Sequence, residues 1–320
     1  MSIAPYLKEI GRGKDGARSL SREQARDLMA QILAGRVSDL ELGGFALAMR
    51  IKGETAEELA GFVDAAMAHT LALPVPSPPA GLLPSYNGAP RRPNLTPPRA
   101  RRLPNLTPLL ALQLARAGVP VLVHGVIDDP TARVTSAAVF TALGLPPVPD
   151  AAGVAARWAA GEPAFIALET LNRPLAQLLA LRRVLGLRNS GHTIAKILPV
   201  VAGALRVVNH THPEYAVSLA QYLRDSGADA VLMRGTEGEP VADARRQPRL
   251  QVYRAGAVDE ALSLAPQDGA LTALPALPAT IDAAATAAHV RAVLAGERAL
   301  PEPIARQVAC LLAARHPPEA

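Results

Sequence analysis

Apolar residues recur at helical spacing through roughly the first 70 positions and then change rhythm. Residues 3–10 carry a short amphipathic helical pattern. Ala25, Leu28, Met29, Ile32 and Leu33 form one apolar helix stripe. Leu42, Phe45, Ala46 and Met49 form a second, and Leu59, Phe62, Val63, Ala66 and Met67 a third. Each stripe follows a capping box, Ser21 with Gln24, Ser38 with Glu41 and Thr55 with Glu58. In such a box the hydroxyl accepts from a free amide and the later side chain returns the bond. Gly35 and the Lys52-Gly53 pair supply stops. The pattern predicts a small helical domain over 1–72, with surplus apolar surface for a partner subunit.

Residues 73–84 hold too many prolines for a helix and read as a semi-rigid extended linker. Beyond it, short apolar runs at 119–123, 164–168 and 230–233 alternate with helical patterns at 109–117, 136–143 and 214–226. This alternation predicts an α/β domain over 85–320 with a mainly parallel sheet. Thr107-Pro108 reads as the N-cap and first residue of the helix that follows. Asn-Leu-Thr-Pro occurs at 94–97 and again at 105–108, and only the second copy leads into a helix. The first copy and its arginines read as a duplicated, exposed insertion over 91–104. A helix is expected within 172–192, with Arg182 and Arg183 near its C-terminal end, where the dipole favours positive charge. Arg188, Asn189, His192 and Lys196 follow and can donate to an anion; His192 reads equally as a hydrogen-bonded structural histidine.

Composition adds bounds. The 320 residues are 49% hydrophobic, which excludes global disorder. The single cysteine, Cys310, excludes an intrachain disulfide and suits a reducing compartment. No apolar run approaches the roughly 18 residues of a membrane span, and residues 1–13 lack a signal-peptide apolar region, so a cytoplasmic protein without membrane contact is expected. A net charge of +5 says little, but its distribution says more. Residues 65–127 hold no acid and six arginines; residues 170–213 hold no acid, five arginines and Lys196. If the fold joins these stretches, a basic face results, and polyanions are its natural partners. Gly11, Gly13 and Gly16 let Lys8, Arg12, Lys14 and Arg18 face a phosphate, or leave them on a solvated loop. His124 and His212 lack triad spacing, no histidine or cysteine cluster suggests a metal, and no cofactor is expected.

The runs at 20–29, 35–39 and 48–55 resemble the N-terminal helical domain of the anthranilate phosphoribosyltransferase family. His124-Gly125 and the segments at 185–189 and 235–239 keep that family's order. The resemblance covers most of the chain. It implies a helical domain completed by a helix returning near 173–190, beside an α/β domain of the nucleoside phosphorylase/phosphoribosyltransferase type, and a homodimer through the helical domain. Four parts depart from the family pattern. Gly-Thr-Gly-Gly-Asp, whose backbone cradles a diphosphate, is replaced by Ser85-Tyr86-Asn87-Gly88-Ala89. Asn-x-Ser-Thr becomes Asn105-Leu106-Thr107-Pro108, and Lys-His-Gly-Asn-Arg becomes Val123-His124-Gly125-Val126-Ile127. The metal-binding Asp-Glu pair is reduced to Glu237 and Glu239. The comparison implies a degenerate cleft at Tyr86, Asn87, Asn105 and His124, with no catalytic residue and no metal.

Longer matches, among them 8–14, 84–89, 105–109, 192–196, 212–215 and 235–239, resemble the YbiB group, which keeps the fold and binds nucleic acid as homodimers with little sequence preference. They imply a non-enzymatic DNA- or RNA-binding protein. Lys8, Arg12, Lys14, Arg18, Arg182, Arg183, Arg188 and Lys196 are the expected phosphate contacts, with Arg91, Arg92, Arg99, Arg101 and Arg102 as auxiliaries. An aromatic content of 3% argues against extensive base stacking. The alternative is an enzyme acting on a phosphorylated sugar in a remodelled cleft, with His124 as the acid/base.

Overall fold

A computed structural model describes residues 2–13, 15–89, 103–269, 275–278 and 280–315. The helical domain contains α1 (Ala4–Ile10), α2 (Arg22–Leu33), α3 (Asp39–Lys52) and α4 (Ala56–Met67). All three capping boxes form as the sequence predicts. The third does more than cap. Glu58 is fully buried, and its Oε2 accepts from Thr55 N at 2.9 Å and from Lys52 Nζ at 2.6 Å. Its Oε1 accepts from Leu20 N at 3.0 Å. One carboxylate thereby ties the start of α4 to the end of α3 and to the chain entering α2. At Gly61 of α4 a Cβ would collide with Arg22 O, so glycine lets α2 and α4 pack backbone to backbone.

The α/β domain is one seven-stranded sheet in the order β3-β2-β1-β4-β5-β6-β7. β1 (Gly81–Ser85), β2 (Val121–Gly125), β3 (Ala164–Ala167), β4 (Leu205–His210) and β5 (Ala230–Arg234) run parallel. β6 (Leu250–Arg254) and β7 (Ala257–Leu264) add antiparallel. The parallel strands are covered on both faces and read as near-continuous apolar runs, as their burial demands. Leu82, Leu122, Ile166 and Leu232 point into the core shared with the helical domain. Leu83, Val123, Phe165 and Val231 point into the core under α5 (Thr107–Arg116) and α14 (Glu302–Arg315).

The stretch 173–190 follows a junction with the helical domain. Asn172 Nδ2 donates to Ala66 O at 2.8 Å, and Leu71 N donates to Leu171 O at 2.8 Å. It is two helices rather than one, α9 (Arg173–Ala180) and the single turn α10 (Arg182–Leu185), so Arg182 and Arg183 open the second instead of closing the first. Three further readings are corrected. The linker ends before Gly81, because Pro84 lies inside β1; the β4 ladder reaches only Gly81 and Leu82, so the missing proline donor costs no bond there. Thr107 is not an N-cap: Leu106 holds that position without a side-chain bond, and the Thr107 hydroxyl points elsewhere. Leu103 and Pro104, placed in the exposed insertion, are buried, while Lys14 and Arg91, Arg92, Arg99, Arg101 and Arg102 lie outside the described residues.

Candidate functional site

The five parallel strands end at one edge of the sheet, and strand order reverses between β1 and β4, where a crevice is expected. The segment after β1 meets the β5–β6 connection here. Glu239 is 1% exposed and fills this junction. Its Oε1 accepts from Asn87 N at 2.7 Å and Gly88 N at 2.6 Å. Its Oε2 accepts from Thr107 Oγ1 at 3.2 Å and is hydrogen-bonded to Ser85 Oγ. Asn87 Nδ2 closes the loop onto Gly238 O at 2.5 Å, and a Cβ at Gly238 would strike that amide. Arg133 Nη1 donates to Gly88 O at 3.2 Å and Glu237 O at 3.3 Å, bracing both sides.

The four residues expected in a degenerate cleft are buried rather than open to it. Tyr86 OH and His124 Nδ1 are 2.8 Å apart, and burial pulls the His124 ring down to about 3, so it is neutral and held as a structural partner. Asn105 Nδ2 donates to Ser136 Oγ at 3.0 Å, and its Oδ1 accepts from Thr107 N at 3.2 Å.

Beside the cradle a cavity of about 310 Å³ opens between the helical domain and the sheet edge. Arg50 of α3, Arg182, Arg188, His192 and Lys196 line it, with Glu54 as the acidic residue. α11 (Ser190–Ile197) presents His192 and Lys196 one turn apart; Asn189 caps it through Gly191 N, and His192 Nδ1 accepts from Asn189 N at 3.4 Å. The His192 ring sits at about 3, lowered by burial and by Arg188, and is therefore neutral. Lys196 Nζ donates to Asn209 Oδ1 at 2.6 Å and Gly238 O at 3.0 Å. Its ammonium is pulled down to about 7, first by burial and then by Arg188 and Arg133, with Glu239 opposing. Burial, Arg182 and Arg133 likewise bring Arg188 down to about 10. The cavity holds cations that burial and mutual repulsion disfavour.

Lys196 gives this cavity a pH response. Below about 7 it is an ammonium and above it an amine. Anion uptake is therefore expected to weaken between about pH 6 and about pH 8. Comparing oligonucleotide affinity across that range for the native chain and Lys196→Met checks this, because the variant should lose the dependence. For folding the sign is different. The unfolded lysine holds its proton up to about 10.5 and the native one releases it near 7, so this group makes stability rise with pH across that window.

The sequence-predicted cations do not form one group. Arg188 and Lys196 share the cavity with Arg182. Arg182 is already paired to buried Asp129 at 2.8 Å, and Arg183 to Asp128 at 2.9 Å. Arg12 and Arg18 both reach Glu9, at 2.7 and 3.9 Å, and Lys8 is exposed on α1. A wider concavity of about 920 Å³ shares His210 and Thr211 with the first and carries Arg234, Arg245, Arg246 and Arg249, none of which the sequence reading singled out.

Residues 4–70 match the helical bundle domain of a glycosyl transferase family. The YbiB protein of Escherichia coli K12, described as uncharacterized, is 40% identical over 321 residues, 98% of this chain and 94% of YbiB. The anthranilate phosphoribosyltransferase of Methylocella silvestris is 30% identical over 306 residues, 93% of this chain and 81% of that one. The chain belongs to the anthranilate phosphoribosyltransferase-like family. Its fold agrees: the anthranilate phosphoribosyltransferase of Thermus thermophilus superposes with a TM-score of 0.73 at 25% identity, covering 96% of this chain and 87% of that chain.

Within this family-type fold, the sequence missed Arg50 and Arg133, which reach the site from α3 and from the segment before α6 (Ser136–Leu143). Glu239 was read only as a remnant metal ligand. No group of three His, Cys, Asp or Glu side chains placed to hold a metal occurs among the described residues, and no described helix is long and apolar enough to cross a membrane.

Proposed function

We propose that this chain binds DNA or RNA with little sequence preference, on a basic surface of a homodimer, and does not transfer phosphoribose. The observation that carries the reading is the cluster of Arg50, Arg182, Arg188 and Lys196 around one cavity, where burial and then the repulsion of neighbouring cations hold Arg188 and Lys196 below their ordinary values. A polyanion offsets that repulsion with negative charge from outside, and phosphates do so for any base sequence. The 920 Å³ concavity extends the arginine-bearing surface past His210. The withdrawal from phosphoribosyl transfer is supported by Glu239, which gives both oxygens to the chain's own donors; the residues present do not fit a magnesium-diphosphate site.

A homodimer is supported by α3, which exposes Leu40, Leu47 and Ile51 along one stripe. Such a stripe is unfavourable in water unless covered. The exposed cations Lys8, Arg12, Arg18 and Arg183 then act as secondary contacts on the same particle.

Mobility shifts with single-stranded DNA, duplex DNA and RNA over a salt series test the reading, with sedimentation of the same sample to give its mass. Binding is expected to all three, with log affinity falling linearly in log salt at a slope of about −0.7 to −0.9 per phosphate contact, and sedimentation at twice the chain mass. Absence of binding at low salt, or binding without a salt slope, refutes it.

A further inference from the structure

Every anion-binding cradle in a folded chain must hold something, because orphaned buried amides and hydroxyls cost free energy. Asn87 N, Gly88 N, Ser85 Oγ and Thr107 Oγ1 converge on one point, and the group at that point is the Glu239 carboxylate. We infer that Glu239 is a built-in counter-anion, closing this cradle to free oxyanions in the intact chain, and that its removal opens a site for a small oxyanion such as phosphate or formate. The inference rests on the part of the reading above that takes the chain out of phosphoribosyl transfer, and not on nucleic-acid binding.

Three observations support it. Two adjacent backbone amides share one carboxylate oxygen, a geometry that selects an anion over a neutral acceptor. The second oxygen lies at two hydroxyls from different elements, β1 and α5, so the cradle is built by the fold rather than by one turn. Lys196 and Arg188 feel Glu239 as a stabilising charge, so the carboxylate also balances cations it does not touch. Removing it leaves the donors unpaired and those cations less compensated, and both deficits favour an incoming oxyanion.

Thermal melting of Glu239→Ala tests this, in sodium phosphate or sodium formate against sodium chloride at matched ionic strength. The variant is expected to melt roughly 5 °C below the native chain in chloride and to recover most of that loss in phosphate or formate. The native chain should show only the smaller phosphate shift that its cation cavity confers on both proteins and none in formate, and adding Thr107→Val should blunt the extra recovery of the variant. Equal responses of the native chain and Glu239→Ala to phosphate overturn the inference, as does a variant insensitive to both anions. If Glu239→Ala does not fold, calorimetric titration of the native chain with pyrophosphate decides. No binding, or binding that Thr107→Val leaves unchanged and that therefore belongs to the cation cavity, supports a closed cradle; micromolar binding abolished by Thr107→Val shows it open and overturns the inference. Oligonucleotide binding is scored separately on the native chain, so either reading can fail while the other stands.

Discussion

Replacing Arg50, Arg183 and Arg188 together by glutamine is expected to weaken binding to a single-stranded oligonucleotide about a hundredfold near physiological salt and to shrink the salt slope by about 2 to 3. The estimate takes each cation as one phosphate contact whose released counterions contribute about four- to fivefold at that salt. These three are chosen because their loss leaves no deeply buried acid alone. Arg50 donates only to Arg188 O at 3.3 Å, Arg183 pairs with exposed Asp128, and Arg188 makes no ion pair among the described residues. Arg182 is spared, since it holds buried Asp129. Circular dichroism should be unchanged while affinity falls equally for unrelated sequences. A loss confined to one sequence would point to base readout instead.

The largest expected effect on stability lies elsewhere. Glu58→Ala is expected to cost about 3 to 5 kcal/mol, measured as a lower urea midpoint. The Lys52 ammonium is 7% exposed and has Glu58 at 2.6 Å, so truncation strands a charge along with Leu20 N and Thr55 N. Thr55→Ala should cost only about 1 kcal/mol, because it removes one cap and leaves the ion pair intact. Equal costs for the two variants would show that the carboxylate acts as a cap alone.

The helical domain was legible because its signals are local: each capping box spans four positions and each stripe one helix. Three parallel strands were legible as apolar runs. β1 was hidden because Pro84 places it within a proline-rich stretch. β4 was hidden by Arg206, an arginine buried in a strand with its Nη1 on Ile197 O at 3.0 Å. β6 and β7 have a register shift between Leu250 and Val252, and half-exposed residues that blur alternation.

The site divides in the same way. The acid-free stretch 170–213 holds Arg188 and Lys196, which lie near one another in sequence and line the same cavity. Arg50 joins them only through tertiary packing, 138 positions from Arg188. Glu239 stands 152 positions from the Asn87 amide it accepts. No local pattern could assign it; the nearest signal was the expectation that 85–89 departs from the family's glycine-rich pattern.

The Glu239 junction also constrains how such a chain can vary over generations. Losing the glutamate alone orphans two amides and two hydroxyls, while altering Ser85 or Thr107 alone takes a donor from a buried carboxylate. Each single step is costly and the compensated change is not. The segment after β1, the start of α5 and the β5–β6 connection should therefore be inherited as one correlated unit, with an acidic residue at 239 accompanying hydroxyl side chains at 85 and 107. A change at one of these parts should therefore persist only with a matching change at the others, or with an oxyanion taken up in place of the Glu239 carboxylate.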